Sequence, residues 1–251
     1  MTKLNFPLVV KPSDRSAGRG VKKVNNIDEL KQAFKEAKRF TNNGIVLVEE
    51  VLDGKQFSVE TISYSSKHQI VAITEEFFRE GVNEGDYLET QHLIPARIDE
   101  ISKEMIQTEI FKILDAFDIR FGACHIEIKL DGDKINIIEI ASRMGGWRNT
   151  MVRDAYDTDY NKLLLDSSLK KNIFLENQTA KFNSIAKFIY TKNDYEVYKN
   201  IKANYNSLIT DDFVNANDST NFSYASNLLD SKGFYYIKIP LEQDPNTLLK
   251  D

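Results

Sequence analysis

Ile126 to Trp147 reads IEIKLDGDKINIIEIASRMGGW, and two apolar runs in it, Ile126-x-Ile128-x-Leu130 and Ile135-x-Ile137-Ile138-x-Ile140, flank Asp131-Gly132-Asp133. That pattern predicts two antiparallel strands joined by a tight turn. Side chains alternate faces along a strand, so Glu127 and Lys129 oppose the apolar set of the first strand and Glu139 opposes Ile138 and Ile140. The two glutamates share one face if the turn holds an odd number of residues, and are separated by an even one. Two carboxylates this close repel unless a cation lies between them, and a few hard oxygen ligands suit Mg2+ bridging to a nucleotide's phosphates. Arg143 follows four residues after Glu139, and Gly145-Gly146 behind it permits close backbone approach to a ligand. The same residues also fit a solvated hairpin with acidic outer positions, and the rest of the chain has to discriminate.

With 41% hydrophobic and 28% charged residues, the 251-residue chain has the composition of a soluble globular protein with a sizeable core. A net charge of -5 argues against a broad polyanion-binding surface, so no nucleic-acid partner is expected and a nucleotide site has to be local. Cys124 is the one cysteine, which excludes an internal disulfide and a multi-cysteine zinc site. No apolar run approaches membrane-spanning length, and MTKLNFPLVVKP does not read as a signal peptide. A cytoplasmic location without a membrane partner is expected.

Phe6 to Val10 reads as a buried strand with almost nothing ahead of it, which suggests a fragment. Lys11 to Val21, KPSDRSAGRGV, is a small-residue loop whose lysine precedes the glycines, unlike a Walker A loop, and Lys23 stands where a dinucleotide fingerprint needs its third glycine. What remains is a strand-loop-strand flap whose backbone N–H groups, with Lys11, can cover a polyphosphate; a surface hairpin with a basic tip fits equally. Asn26 or Asp28 caps a helix with Leu30, Ala33, Phe34 and Ala37 on one side. Strands at Ile45 to Glu49 and Phe57 to Ser63 flank a crossing at Glu50-Val51-Leu52-Asp53-Gly54. Backbone there can read an adenine edge while Leu52 packs on the base and Gln56 reaches a ribose hydroxyl; an ordinary turn is the alternative.

Ile70 to Phe78 is a further strand, followed by a polar loop, Arg79 to Asp86. Next, Glu89 and His92 lie close enough to line one pocket wall, with His92 able to change charge near neutral pH. Asp99 opens a helix with Met105, Ile110, Ile113, Leu114 and Phe117 inward, and another helix near Tyr160 to Leu169 carries Leu163, Leu164 and Ser167 on one side. Beyond about Phe182 the composition turns to Asn, Asp, Ser and Tyr, with short strands at Ser184 to Tyr190 and Gly233 to Ile239 and no recognisable chemistry.

In this order the pieces resemble the nucleotide-binding half of the ATP-grasp superfamily, and within it the carboxylate-amine ligases of the L-amino acid ligase type, over roughly Phe6 to Leu169. FPLVVKPSDRSAGRGV resembles the phosphate segment, VLVEEVLDGKQFSVE the adenine and ribose segment, and ETQHLIP, GACHIEIKL and IIEIASRMGG the substrate and metal segments. The resemblance implies an α+β ATP-grasp fold, two small antiparallel-rich sheets with helices enclosing Mg-ATP. It divides the chain into a lid over 1–50, a larger subdomain with the metal and substrate sites over 51–180, and an α+β extension over 181–251. It places Lys11, Ser16, Gly18 and Gly20 on the phosphates, Glu49, Glu50, Val51 and Leu52 on the adenine, and Gln56 on the ribose. Glu127 and Glu139 would hold Mg2+, with Mn2+ as a substitute, Arg143 and His92 would serve catalysis, and Glu89 and Trp147 would meet the substrate.

The implied reaction passes the γ-phosphate to a small carboxylate, such as an amino acid, and an amine then displaces phosphate. A bicarbonate- or formate-activating enzyme and a non-catalytic ATP-binding module are the other readings. Departures from the family pattern are Gln56 for a ribose-binding glutamate, Ala141 for a metal-binding asparagine, and Arg15 and Ala17 for loop glycines. The family's upstream α/β domain is expected to be a missing part of the same polypeptide, and a homodimer is a possible assembly.

Overall fold

The computed structural model describes residues 4–79, 88–173, 175, 178–245 and 247. Its first unit is a three-stranded antiparallel sheet in the order β2-β1-β3, formed by β1 (Leu8–Pro12), β2 (Lys22–Val24) and β3 (Val46–Glu50). Helix α1 (Ile27–Phe40) covers it. Asn26 caps the helix, its side-chain oxygen accepting from the backbone N–H groups of Asp28 at 3.1 Å and Glu29 at 3.0 Å. Ala33 and Ala37 are buried against Leu8, Val10 and Val24, so small side chains let the helix lie close to a narrow sheet. Phe34, expected inward, is 40% exposed because the contact stripe is only that wide.

The chain continues through β4 (Lys55–Tyr64), β5 (Lys67–Phe78), β6 (Glu89–Ile94), α2 (Glu100–Ala116), β7 (Phe121–Asp131) and β8 (Lys134–Ala141). Helices α3 (Arg148–Tyr156) and α4 (Tyr160–Ser168) follow, then β9 (Phe182–Phe188), α5 (Lys192–Asn204), β10 (Ile209–Val214) and β11 (Gly233–Pro240). The loop expected after β5 falls at 80–87, outside the described residues apart from Arg79. No described helix is long and apolar enough to cross a membrane.

The second sheet is not small: eight antiparallel strands run β10-β11-β9-β6-β5-β4-β7-β8. Strands drawn from 182–240 enter it because β9 pairs with β6, Gln91 opposite Lys187 and His92 opposite Ala186. One face carries Phe57, Val59, Cys124, Ile126 and Ile128 and packs on Ile106, Ile110 and Leu114 of α2. Those three helix positions recur every four residues and are fully buried, each contributing about 1.5–3 kcal/mol relative to exposure. Met105 and Ile113 flank that row, and Phe117, expected inward, is 67% exposed at the helix C-terminus. Helices α3 and α4 pack over another part of the sheet, with Met151, Val152, Ala155 and Tyr160 against Ile62, Val71 and Ala72. Four elements, β6, α3, α5 and β10, have no counterpart in the sequence reading.

Candidate active site

Alternation along β4 and β7 builds the floor of the site. Gln56, Ser58 and Glu60 on β4 stand directly opposite Lys129, Glu127 and His125 on β7. Paired residues share a face, so this polar row is the reverse side of the apolar face that packs on α2. Glu76 and His92 extend the polar face on β5 and β6, where they are directly paired.

Glu139 faces Glu127, but not through an odd turn. Asp131 pairs with Lys134, leaving a two-residue loop, Gly132-Asp133, which by parity alone would set Ile138 opposite Glu127. The ladder instead passes from Ile128–Ile137 to Glu127–Glu139. Ile138 is thus the extra residue of a β-bulge, and the bulge returns Glu139 to the side of Glu127.

A cavity of about 1060 Å³ opens over this floor, its other wall formed by the first sheet and its loop. Lys11, Ser16, Gly18, Glu49, Glu50, Leu52, Gln56, Glu89, His92, Glu127, Glu139, Arg143 and Trp147 all line it, which brings together nearly every residue singled out from the sequence. Gly20 and Val51 do not line it. A Cβ on Gly20 would come within 2.9 Å of Phe40 and 3.1 Å of Pro12, so this glycine seats the loop on its own unit. Lys11 Nζ is held 2.6 Å from Glu49. Arg143 is exposed, its Nη1 donating to the Met144 carbonyl at 3.0 Å.

Five buried polar residues of the floor escaped the sequence reading: Ser58, Glu60, Glu76, His125 and Arg148. The alternation Gln56-x-Ser58-x-Glu60 was the available signal for the first two. Arg148, 2% exposed at the start of α3, donates through Nη2 to Ser58 Oγ at 2.7 Å and Glu76 Oε1 at 2.8 Å, and through Nη1 to His92 Nδ1 at 2.8 Å. Since a guanidinium only donates, His92 Nδ1 is the acceptor and its Nε2–H donates to Glu89 Oε2 at 2.9 Å. Burial, and then the Arg148 charge, hold His92 down to about 3. His92 is therefore a neutral link between Arg148 and Glu89, not a group that changes charge near neutral pH.

His125 is the opposite case. Burial disfavours its charge, but hydrogen bonding to Glu127 and Glu60 overrides that and raises it to about 9. Its Nδ1 lies 2.5 Å from Glu60 Oε1 and its Nε2 3.5 Å from Glu127 Oε1. Burial works to raise Glu127, but the His125 hydrogen bond together with the charges of His125 and Arg148 lowers it. Glu89 is raised to about 7, by burial first and then by the Glu127 charge, although a fifth of its side chain still meets solvent through the cavity. The side chain of Glu139 also reaches solvent, yet crowding around it and then the Glu127 charge raise its carboxyl.

Facing carboxylates that oppose each other's ionisation fit a divalent cation between them. Among the described residues no group of three or more His, Cys, Asp or Glu side chains is placed to hold a metal. Ala141 lies opposite His125, so the position adds no donor, and a cation there would draw its remaining oxygen ligands from phosphate and water.

A family model for an ATP-grasp domain matches residues 4–151, more than half of the chain. D-alanine--D-alanine ligase B of Pseudomonas syringae pv. tomato is 29% identical over 154 residues, which cover 60% of this chain and 47% of that protein. The carbamoyl phosphate synthase large chain of Caldanaerobacter subterraneus subsp. tengcongensis is 30% identical over 144 residues, covering 56% and 13%. Among solved structures, L-amino acid ligase from Bacillus licheniformis superposes with a TM-score of 0.74 at 21% identity, covering 96% of this chain and 60% of that one. Carboxyaminoimidazole ribonucleotide synthase from Aspergillus clavatus, complexed with ATP, gives 0.72 at 17% identity, covering 98% and 61%. The chain thus spans no more than about half the length of these curated relatives. The glycine loop, the paired-carboxylate hairpin and most of the lining of the cavity between the two antiparallel sheets lie within the residues that the family model matches, and the chain belongs to the ATP-grasp domain family.

Proposed function

We propose that this chain carries the nucleotide site of an ATP-dependent ligase that activates a small carboxylate as an acyl phosphate for attack by an amine. The single observation behind this is that one cavity holds Lys11 and its loop, the facing pair Glu127 and Glu139, and the buried set Glu89, His92 and Arg148. Lys11 leaves Glu49 to pair with phosphate oxygens, Glu50 and Leu52 flank the base, and Gln56 meets the ribose. Mg2+, or Mn2+ in its place, would sit on Glu127 and Glu139 and neutralise phosphate charge when bound.

In the first step a substrate carboxylate oxygen bonds to the γ-phosphorus, the bond to the bridging oxygen breaks, and ADP departs. Arg143, exposed and close to the Glu127–Glu139 pair, is placed to stabilise the transferring charge. In the second step the amine lone pair bonds to the acyl carbon, the carbon–oxygen bond to phosphate breaks, and phosphate leaves. Glu89 holds the ammonium of the incoming substrate and, with its carboxyl near 7, takes the proton that the amine loses. That buried carboxylate favours an amino acid over bicarbonate, which brings no cation to it. His92 and Arg148 position Glu89. The protein works in the cytoplasm, where ATP and Mg2+ are supplied, with the remainder of the ligase closing the substrate side.

Isothermal calorimetry tests the nucleotide assignment. ATP binding should strengthen with Mg2+, and Glu139→Ala should remove that strengthening. Undetectable ATP binding by the folded chain, or unchanged Mg2+ dependence in Glu139→Ala, refutes it. Phosphate release by the chain within its complete protein, screened against pooled amino acids and other carboxylates, tests the chemistry.

A further inference from the structure

Beyond Glu89 the cavity changes character. Phe188 on β9, Phe234 on β11 and Phe213 on β10 are in direct register, Phe188 opposite Phe234 and Phe234 opposite Phe213. Cross-strand partners share a face, so the three rings form one aromatic ladder, and all three line the cavity. Ring centroids of Phe213 and Phe234 are 5.1 Å apart. Gly233 makes the closeness possible, since a Cβ there would lie 2.3 Å from the Phe213 carbonyl oxygen. Trp147 closes the ladder edge-on, 5.0 Å from Phe188 and 5.9 Å from Phe234, and Leu228 and Leu229 add to the wall. Trp147 does this from a left-handed backbone (φ 57), a conformation that costs a bulky residue and persists only where the surroundings demand it.

Two observations indicate what the ladder meets. None of the lining residues from 188–234 is charged, yet Phe213 is 53% and Leu229 66% exposed, an apolar surface with nothing described over it. The ladder is also continuous with the polar end: the His92 ring that donates to Glu89 lies edge-to-face on Phe188 at 5.2 Å and on Trp147 at 5.8 Å. One imidazole therefore stands between the carboxylate assigned to the substrate ammonium and the aromatic wall.

We propose that this ladder is the side-chain pocket for an amino-acid substrate and selects neutral apolar side chains over small or charged ones. The proposal rests on the ligase reading above and extends it to substrate class. Each buried methylene is worth about fourfold in affinity, so leucine should bind about 50-fold tighter than alanine if its side chain is fully covered.

Trp147 is the only tryptophan, which makes its emission a direct reporter of the pocket. With the chain saturated in MgADP, checked by calorimetry, L-alanine, L-leucine, L-phenylalanine and L-aspartate are titrated while Trp147 fluorescence is followed. Leucine and phenylalanine should shift the emission saturably and at least tenfold more tightly than alanine, and aspartate should not. Phe213→Ser, at the exposed end of the ladder, should weaken leucine about tenfold while alanine and MgADP binding stay unchanged; Phe234→Leu serves if that variant fails to fold by circular dichroism. Alanine and leucine titrating alike, aspartate binding best, no amino acid shifting the emission while MgADP binds, or equal weakening of alanine and leucine in Phe213→Ser would each overturn the proposal. Failure to bind MgADP at all would instead sink the ligase reading on which it rests.

Discussion

Replacing Arg148 with methionine keeps most of the buried stem and removes the donors that join three strands, β4, β5 and β6, to helix α3. Arg148 holds Glu76, Ser58 and His92 by hydrogen bonds of 2.7–2.8 Å, and its Nε lies 3.4 Å from Glu60. Removing one partner of a buried ion pair leaves the other charge uncompensated, at a cost of about 3–5 kcal/mol. For a chain of this size that corresponds to a fall in Tm of about 6–20 °C. The loss should depend on pH. Burial already raises Glu76, with the Glu127 charge adding to it and the positive charge of Arg148 opposing it. Without Arg148 the folded state keeps a proton on Glu76 well above the pH at which the unfolded chain releases it. Stability that depends on a bound proton is fully present below the unfolded value and is lost as pH rises toward the folded one. Arg148→Met should therefore lose the most, relative to wild type, at neutral and higher pH, and recover up to about 1.4 kcal/mol per pH unit as pH falls through the range in which Glu76 is ionised in wild type but protonated in the variant. Urea unfolding of both proteins at pH 5, 6, 7 and 8 measures this, and adding Glu76→Gln should restore more than half of the loss at pH 7. A penalty under about 1 kcal/mol at pH 7, or one that does not change with pH, would refute the reasoning.

Lys11→Ala should weaken ATP binding by about 10–100-fold in calorimetry, the worth of a charge-assisted phosphate contact, with little change in Tm because its ion-pair partner Glu49 is half-exposed. His125 has the sign of a cation with a raised folded value, so its stabilisation is complete below about 6.5 and is lost as pH rises to about 9. His125→Gln should remove about 3 kcal/mol of that slope in unfolding free energy between those limits, and an unchanged slope would assign the pH dependence elsewhere. Gly54 has φ +100, and a Cβ there would lie 2.3 Å from the Leu130 carbonyl oxygen; Gly54→Ala should destabilise by about 2 kcal/mol or more in thermal denaturation.

Local periodicity was enough to read most of the strands, two caps and part of the apolar sides of α1 and α2. Asn26, one of two candidate caps, and Asp99 cap α1 and α2, and Glu127 and Glu139 each stand between two isoleucines in the chain. These signals survive in sequence because each depends on residues within a turn or a strand of one another. Helix α3 gave no such signal: it opens without a side-chain cap, and its buried positions include Arg148 and Asp154, which a search for apolar stripes passes over; α5 did carry one, the Thr191–Asp194 capping box, which that search also passes over.

Tertiary structure decided the rest, and in each case through residues far apart in the chain. The carboxylate pair met through a bulge at Ile138, not through the turn that local parity suggested, because register is set along the whole ladder. His92 looked like a titrating histidine until Arg148, 56 residues away, took its Nδ1 as an acceptor. Glu60 and His125, 65 residues apart, became a buried pair only when β4 and β7 came together. The stretch beyond 182, unremarkable as a string of Asn, Ser and Tyr, supplied three strands of the second sheet and an aromatic wall of the cavity, since Phe188, Phe213 and Phe234 become neighbours only by cross-strand pairing. A residue's periodicity is written in its nearest neighbours, whereas its charge state and chemical partners depend on which distant strand the fold sets beside it.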